Sequence, residues 1–332
     1  MKRLNLKKYP KVKLIDQPSN IHYLKSISQA LNVDLFIKRD DLLPIGLGGN
    51  KLRKLEYLLG EAKNQKSTHI FTIGATQSNH ARMTAVTAKM NGFQVELFLK
   101  KSVPIIEPAY FQNGNIIINN IIDAKIHQVQ DNKSAYKAIQ EREKELLHEG
   151  GKAYTIPIGG SNAIGTLGYI DCYYEILKQE NELGVNFNWI TSASGSGGTH
   201  AGLIAGKLLS NTKNKVKAYH VEPDQGELAD HTLKITQEVL KLCNSRKKVK
   251  NSDILISDEY AGNTYGIPED YHIETIKYLA KHEGVLLDPV YTSKAFLGLI
   301  MDIKNNIIKK GEKVLFIHTG GTPGIFAYPQ YF

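Results

Sequence analysis

"HIFTIGATQSNHARMTAVTAKMNGFQVELFLK", residues 69–100, carries the punctuation that decides the fold. "HIFTIG" is an apolar run of strand length, "SNHARMTAVTAKMNG" is of helical length and closes on Gly92, and "QVELFLK" reads as a strand again. Strand, helix and strand within roughly 30 residues make a βαβ unit, whose two strands run parallel. Upstream, "DLFIKRD" (34–40) reads as a strand. "NKLRKLEYLLGEAKNQ" follows from Asn50, with Leu52, Leu55, Leu58 and Leu59 at helical spacing. Downstream the pattern returns as "NWITSAS" (188–194), "GGTHAGLIAGKLLS" (197–210), "VKAYHVEP" (216–223) and "VLFIHTGG" (314–321). The expectation is an α/β protein of parallel-rich twisted sheets flanked by helices.

A chain of 332 residues exceeds the size at which one core stops growing, so two domains or one elaborate one are expected. The turn-rich "PIGGSNAIGTLG" (157–168) is the candidate hinge or domain crossing. Hydrophobic residues at 42% and charged residues at 23% are ordinary for a globular chain and exclude a disordered one. The net charge of +9 is dispersed, and its tightest run, "SRKKVK" (245–250), reads as a solvated loop, so no nucleic-acid partner is expected. A mild positive field would instead help gather anionic small molecules. Cys172 and Cys243 are too few and too far apart for a disulfide framework or a zinc site, and no metal is expected. "MKRLNLKKYP" is basic but no apolar segment follows it, and no apolar run is long enough to span a bilayer. The expected location is cytoplasmic, without membrane contact.

Glycine-rich loops after strands are where open α/β sheets bind ligands. In "SASGSGGTHAG" (192–202), Gly195, Gly197 and Gly198 would let successive backbone N–H groups converge at a helix start, where a phosphate is held. A dinucleotide fingerprint is only partly met, since His200 stands at the third glycine position although Glu222 stands where a ribose-binding acid would. No G-x-x-x-x-G-K-[ST] is present. A compact cup for one phosphate fits better than a cradle for a pyrophosphate.

Lys51 follows the glycine turn "GLGG" at a helix start. Desolvation or a neighbouring cation such as Arg53 or Lys54 would lower its pKa and make it nucleophilic toward aldehydes. A reactive lysine and a phosphate cup are what pyridoxal phosphate requires. Spacing alone leaves Lys51 open to the alternative of a solvated surface lysine.

Six motifs in order, "KRDDLLPIGLGGNKLRKLEYL", "TIGATQSNHARMTA", "SASGSGGTHAGL", "GNTYGIP", "LLDPVYTSKA" and "HTGGTPGIFAY", resemble the D-cysteine desulfhydrase and 1-aminocyclopropane-1-carboxylate deaminase family. These are pyridoxal-phosphate enzymes of the tryptophan synthase β-subunit fold, also called fold type II. The resemblance runs from about residue 5 to the C-terminus. It implies a larger cofactor-binding domain of residues 1–50 plus 165–332, a smaller inserted domain of 51–164, and a homodimer.

By the same resemblance Lys51 matches the Schiff-base lysine, Asn50 belongs to its motif, and Lys54 is a partner for the cofactor phosphate. Ser78 matches the serine that faces the substrate and Asn79 the asparagine that meets the ring hydroxyl; His80 reads equally well as packing. Ala193, Ser194, Gly195, Ser196, Gly197, Gly198 and Thr199 match the phosphate cup. Tyr265 and Tyr291 match two active-site tyrosines, and Thr319 sits where a residue can meet the pyridine nitrogen. The ring-opening deaminases carry a glutamate after "DPVY", where this chain has Thr292. A carboxylate there would keep the pyridine nitrogen protonated and strengthen the electron sink, so Thr292 favours a simpler β-elimination.

The implied reaction converts D-cysteine to pyruvate, hydrogen sulfide and ammonia, with Lys51 taking the Cα proton. Ring opening of 1-aminocyclopropane-1-carboxylate and release of sulfite from cysteate are the alternatives within the family. A nicotinamide-dependent oxidoreductase and a non-catalytic metabolite binder are the alternatives outside it.

Overall fold

The computed structural model describes residues 5–223 and 226–332. In chain order, β1 (Ile21–Tyr23), α1 (Lys25–Leu31), β2 (Asp34–Lys38) and α2 (Lys51–Asn64) lead into β3 (His69–Ala75), α3 (Asn79–Met90) and β4 (Gln94–Lys100). There follow α4 (Pro108–Gln112), α5 (Asn115–Ile121), β5 (Lys125–Val129), α6 (Asn132–His148) and β6 (Ala153–Ile156). Next come α7 (Ala163–Leu183), β7 (Trp189–Ser194), α8 (Gly198–Ser210), β8 (Lys215–His220), α9 (Glu227–Leu242) and β9 (Leu255–Ser257). The last elements are α10 (Asp270–Glu283), α11 (Thr292–Lys304) and β10 (Lys313–Ile317).

Two sheets organise these elements. One has the order β1-β2-β10-β7-β8-β9, with β1 antiparallel to β2 and every other pair parallel. The other is wholly parallel, in the order β5-β4-β3-β6. Helices cover both faces of a parallel sheet, so central strands such as β7 are buried at every residue. Chain position and sheet do not coincide simply: the first sheet draws on residues 21–38 and 189–317, and the second on 69–156. Among the described residues no helix is long and apolar enough to cross a membrane.

The stretch 157–168 is only half a turn region. Pro157 to Ser161 forms the crossing, but Asn162 caps α7 by accepting from the Gly165 N–H at 2.9 Å, and the next 21 residues are helical. Its glycines serve close packing instead. A Cβ on Gly168 would stand 2.1 Å from the Arg53 carbonyl oxygen, so α7 and α2 touch backbone to backbone.

A buried ionic cluster ties α2 to both β2 and α7. Arg53 donates to both oxygens of Asp40, at 2.7 and 2.8 Å, and to Glu175 at 2.9 Å. Ser19 and Tyr169 donate to Asp40 at 2.6 and 2.7 Å. Burial alone would raise the pKa of Asp40, but the attraction of Arg53 and these hydrogen bonds outweigh it and bring it down to about 2. A depressed carboxylate stabilises the fold above its unfolded pKa and loses that contribution as pH falls through the folded one. Asp40 therefore contributes about 2 kcal/mol at neutral pH, lost between roughly pH 4 and pH 2. Asp40→Asn, which leaves Arg53 paired with Glu175 alone, is expected to lower stability at pH 7 by about 2 kcal/mol or more in urea denaturation.

Candidate active site

The site grows from strand ends. Gly74 and Ala75 at the end of β3, Lys100 at the end of β4, Ala193 and Ser194 at the end of β7, and Thr319 beyond β10 all line one cavity of about 260 Å³. Carboxyl ends of parallel strands are the edge that open α/β sheets leave free for ligands. Helix beginnings converge there too: Lys51 opens α2, Ser78 caps α3 and Asn79 opens it, and the 195–197 loop leads into α8. The unpaired N–H groups and positive dipole ends of these helices make the cavity receptive to anions.

Lys51 is held by its neighbours. A Cβ on Gly48 would stand 1.9 Å from the Asp41 carbonyl oxygen, and its φ of +70° lies in the left-handed region, so glycine is required at that turn. Arg82, buried in α3, donates to the Gly46 carbonyl and to the Gly48 carbonyl at 3.2 Å. Asn50 anchors the helix start, its N–H donating to the Thr319 carbonyl at 3.0 Å and its side-chain amide to Thr199 Oγ1 at 3.0 Å. The Lys51 amine opens on the cavity with no hydrogen bond or ion pair to a described residue. Loss of hydration lowers its pKa from 10.5 to about 8. Arg53 takes no part in that shift, because its charge faces Asp40 and Glu175.

Residues 193–197 and Thr199 form the phosphate-sized cup, and the buried Ser194 hydroxyl there has no partner among the described residues. Gly198 and Lys54 stand behind it. Lys54 donates to the Gly159 carbonyl and to Ser161 Oγ, each at 3.1 Å, and a Cβ on Gly198 would lie 2.8 Å from its amine. Burial, with repulsion from Lys51 added, holds the Lys54 pKa well below the ordinary lysine value. His80 reaches the wall, but its ring is engaged with Thr72 Oγ1 at 2.8 Å and burial keeps it uncharged. Tyr265 and Tyr291 share a wall and hydrogen-bond to each other through their hydroxyls. Burial raises both phenols, so both remain protonated.

Of the site residues singled out in the sequence, three do not line the cavity: Lys54 and Gly198, which stand behind the cup, and Thr292. The Thr292 hydroxyl donates to Asp288 at 2.6 Å and accepts from the Asp288 N–H at 2.8 Å. Thr292 is the first residue of α11, and the local bond to the capping aspartate fixes its side chain there. Conversely, sequence reasoning passed over Lys100, Ser102 and Gly159, which the structure puts in the wall. Lys100 ends the run "QVELFLK", and the strand-end rule would have marked it.

A desolvated free amine, a single-phosphate cup and a cavity at the strand ends of two parallel-rich sheets define the site of a pyridoxal-phosphate enzyme, and the donor set suits each end of that cofactor. The comparisons agree. A family model described as pyridoxal-phosphate dependent enzyme matches residues 12–320. A Pyrococcus furiosus protein provisionally named as a 1-aminocyclopropane-1-carboxylate deaminase is 40% identical over 326 residues, covering 97% of this chain and 95% of that protein. The crystal structure of a homologue of that deaminase matches with a TM-score of 0.88 at 36% identity, over 98% of this chain and 96% of the other. O-ureido-L-serine synthase, with a TM-score of 0.64 at 13% identity over 92% and 90% of the two chains, shares the fold. The chain belongs to the pyridoxal-phosphate dependent enzyme family. Within it the motifs and the more similar relatives place it with the D-cysteine desulfhydrases and aminocyclopropane carboxylate deaminases.

The shifted amine has a direct consequence. In protein stripped of cofactor, acylation of Lys51 by an amine-selective reagent, read by peptide mass, should rise with a midpoint near pH 8. The neutral amine is the reactive form, so reactivity falls below that pH. A midpoint near the ordinary lysine value would contradict the desolvated placement.

Proposed function

We propose that the protein catalyses β-elimination on a small β-substituted amino acid, with D-cysteine as substrate and pyruvate, hydrogen sulfide and ammonia as products. The observation that carries this reading is Lys51, an amine both desolvated and open to a cavity that ends in a phosphate cup. Pyridoxal phosphate, when bound, supplies the electron sink that stabilises the charge left at Cα.

The chain's residues do the rest. Residues 193–197 and Thr199, at the start of α8, hold the phosphate end with backbone N–H groups and the Ser194 hydroxyl, with Gly198 and Lys54 supporting the cup from behind. Asn79 and Thr319, both on the cavity wall, would meet the cofactor's ring hydroxyl and ring nitrogen, as the family motifs imply. Ser78 and the first N–H groups of α3 receive the substrate carboxylate, where the helix dipole favours an anion. Lys51, unprotonated above about pH 8, takes the Cα proton, and hydrosulfide leaves from Cβ. The protonated hydroxyls of Tyr265 and Tyr291 shape the Cβ side and donate toward the departing group.

A second reading is ring opening of 1-aminocyclopropane-1-carboxylate, the activity in the name of the P. furiosus relative. The first reading is favoured by the motif alone: the ring-opening deaminases carry a glutamate where this chain has Thr292, whose hydroxyl is engaged by Asp288 and does not line the cavity.

Oxoacid release measured over D-cysteine, L-cysteine, cysteate, D-serine and 1-aminocyclopropane-1-carboxylate tests the reading. D-cysteine is expected to turn over fastest; faster release from the cyclopropane substrate would establish the second reading. Lys51→Ala should reduce turnover by at least about 10²-fold through loss of the base alone, and near wild-type turnover would remove Lys51 from its role.

A further inference from the structure

Two charged side chains line the cavity that the mechanism above does not use. Lys100 ends β4, and the parallel register puts it beside Ala75, three residues before Ser78 at the cap of α3. Glu222 lies just past β8 on the wall of Tyr265 and Tyr291, and it is the one carboxylate among the described lining residues. Neither side chain has a hydrogen bond or ion pair to a described residue; Lys294, which does not line the cavity, attracts Glu222 but gives its amine to the Val221 and Thr264 carbonyls. The cavity is therefore bipolar. Its α3 end is positive, from Lys100 and the helix dipole, and its tyrosine wall carries a negative charge.

That polarity matches an amino acid laid in one direction, and the inference rests on the β-elimination reading. The α-carboxylate goes to Ser78 and Lys100, which turns the Cβ substituent toward Tyr265, Tyr291 and Glu222. We infer that Glu222 is a specificity residue that favours cationic or hydrogen-bond-donating Cβ substituents and rejects anionic ones. The accepted chemical class is an amino acid whose Cβ carries a neutral thiol, a hydroxyl or an amino group, and a sulfonate is disfavoured.

For 2,3-diaminopropionate the balance is simple. The Cα proton leaves to Lys51, the Cα–Cβ double bond forms, and the Cβ–N bond breaks with the ammonium departing as ammonia. Water then hydrolyses the remaining enamine to pyruvate and a second ammonia. No oxidant or reductant is needed. Glu222 acts before bond breaking by pairing with the ammonium, and a sulfonate in the same place meets a like charge.

The test uses the cofactor-loaded enzyme and its Glu222→Gln and Glu222→Asp variants. Inhibition constants of 2,3-diaminopropionate and cysteate, both enantiomers, are measured against whichever amino acid the enzyme turns over fastest, alongside kcat/KM for each. Wild-type enzyme should prefer the diamino compound, and Glu222→Gln should shrink that preference at least about tenfold, the value of one close charge pair. Glu222→Asp should retain most of it, which separates charge recognition from a general loss of structure. Lys100→Met should raise KM for all amino acids alike. An unchanged preference in Glu222→Gln, or a wild-type enzyme that prefers cysteate, overturns the inference. If the enzyme opens the cyclopropane ring and eliminates nothing, the β-elimination reading fails, while competition against that substrate still reports whether Glu222 selects charge.

Discussion

Lys51 stands at the first turn of α2 with its amine facing a cavity and no described carboxylate paired to it, and loss of hydration lowers its pKa to about 8. Such a group is poised between base and nucleophile near neutral pH, which no solvated lysine is. Much of the surrounding architecture keeps it there. Gly48 permits the tight turn, Arg82 clamps the Gly46 and Gly48 carbonyls, and Asn50 is bonded to Thr199 and Thr319. Two residues further on, Arg53 locks the same helix to Asp40 and Glu175. The helix start is thus fixed from four sides.

The site also shows why other lysines are less suited to the same role. Lys54 is desolvated too, but its amine is bonded to Gly159 and Ser161 and does not line the cavity. Lys294 has its pKa lowered to about 8 by burial, yet it donates to the Val221 carbonyl and lies outside the cavity wall. Lys100 reaches the cavity from β4, at the α3 end. Desolvation and access coincide at Lys51.

The strand and helix runs around residues 69–100 and 188–220 were legible in the sequence because parallel strands buried on both faces are continuous apolar runs, and a helix of amphipathic spacing follows each. The strand order was not, since β10 inserts between β2 and β7 through contacts far apart in the chain. Gly165 and Gly168 read as turn residues because a glycine at a helix–helix contact has the same local signature as one in a turn. Thr292 was misread for a related reason: its motif marked the neighbourhood, but the side chain bonds to Asp288 four residues earlier. Glu222 was visible only as the acid of an incomplete dinucleotide fingerprint. Its place on the tyrosine wall depends on a fold that brings residues 222, 265 and 291 to one cavity.

The most direct measurement is borohydride reduction of the cofactor-loaded protein followed by peptide mass mapping. The account predicts that reduction abolishes the visible absorbance and leaves the cofactor covalently attached at Lys51. Attachment at Lys54, Lys100 or Lys294, or a protein that releases its cofactor unreduced, would contradict it.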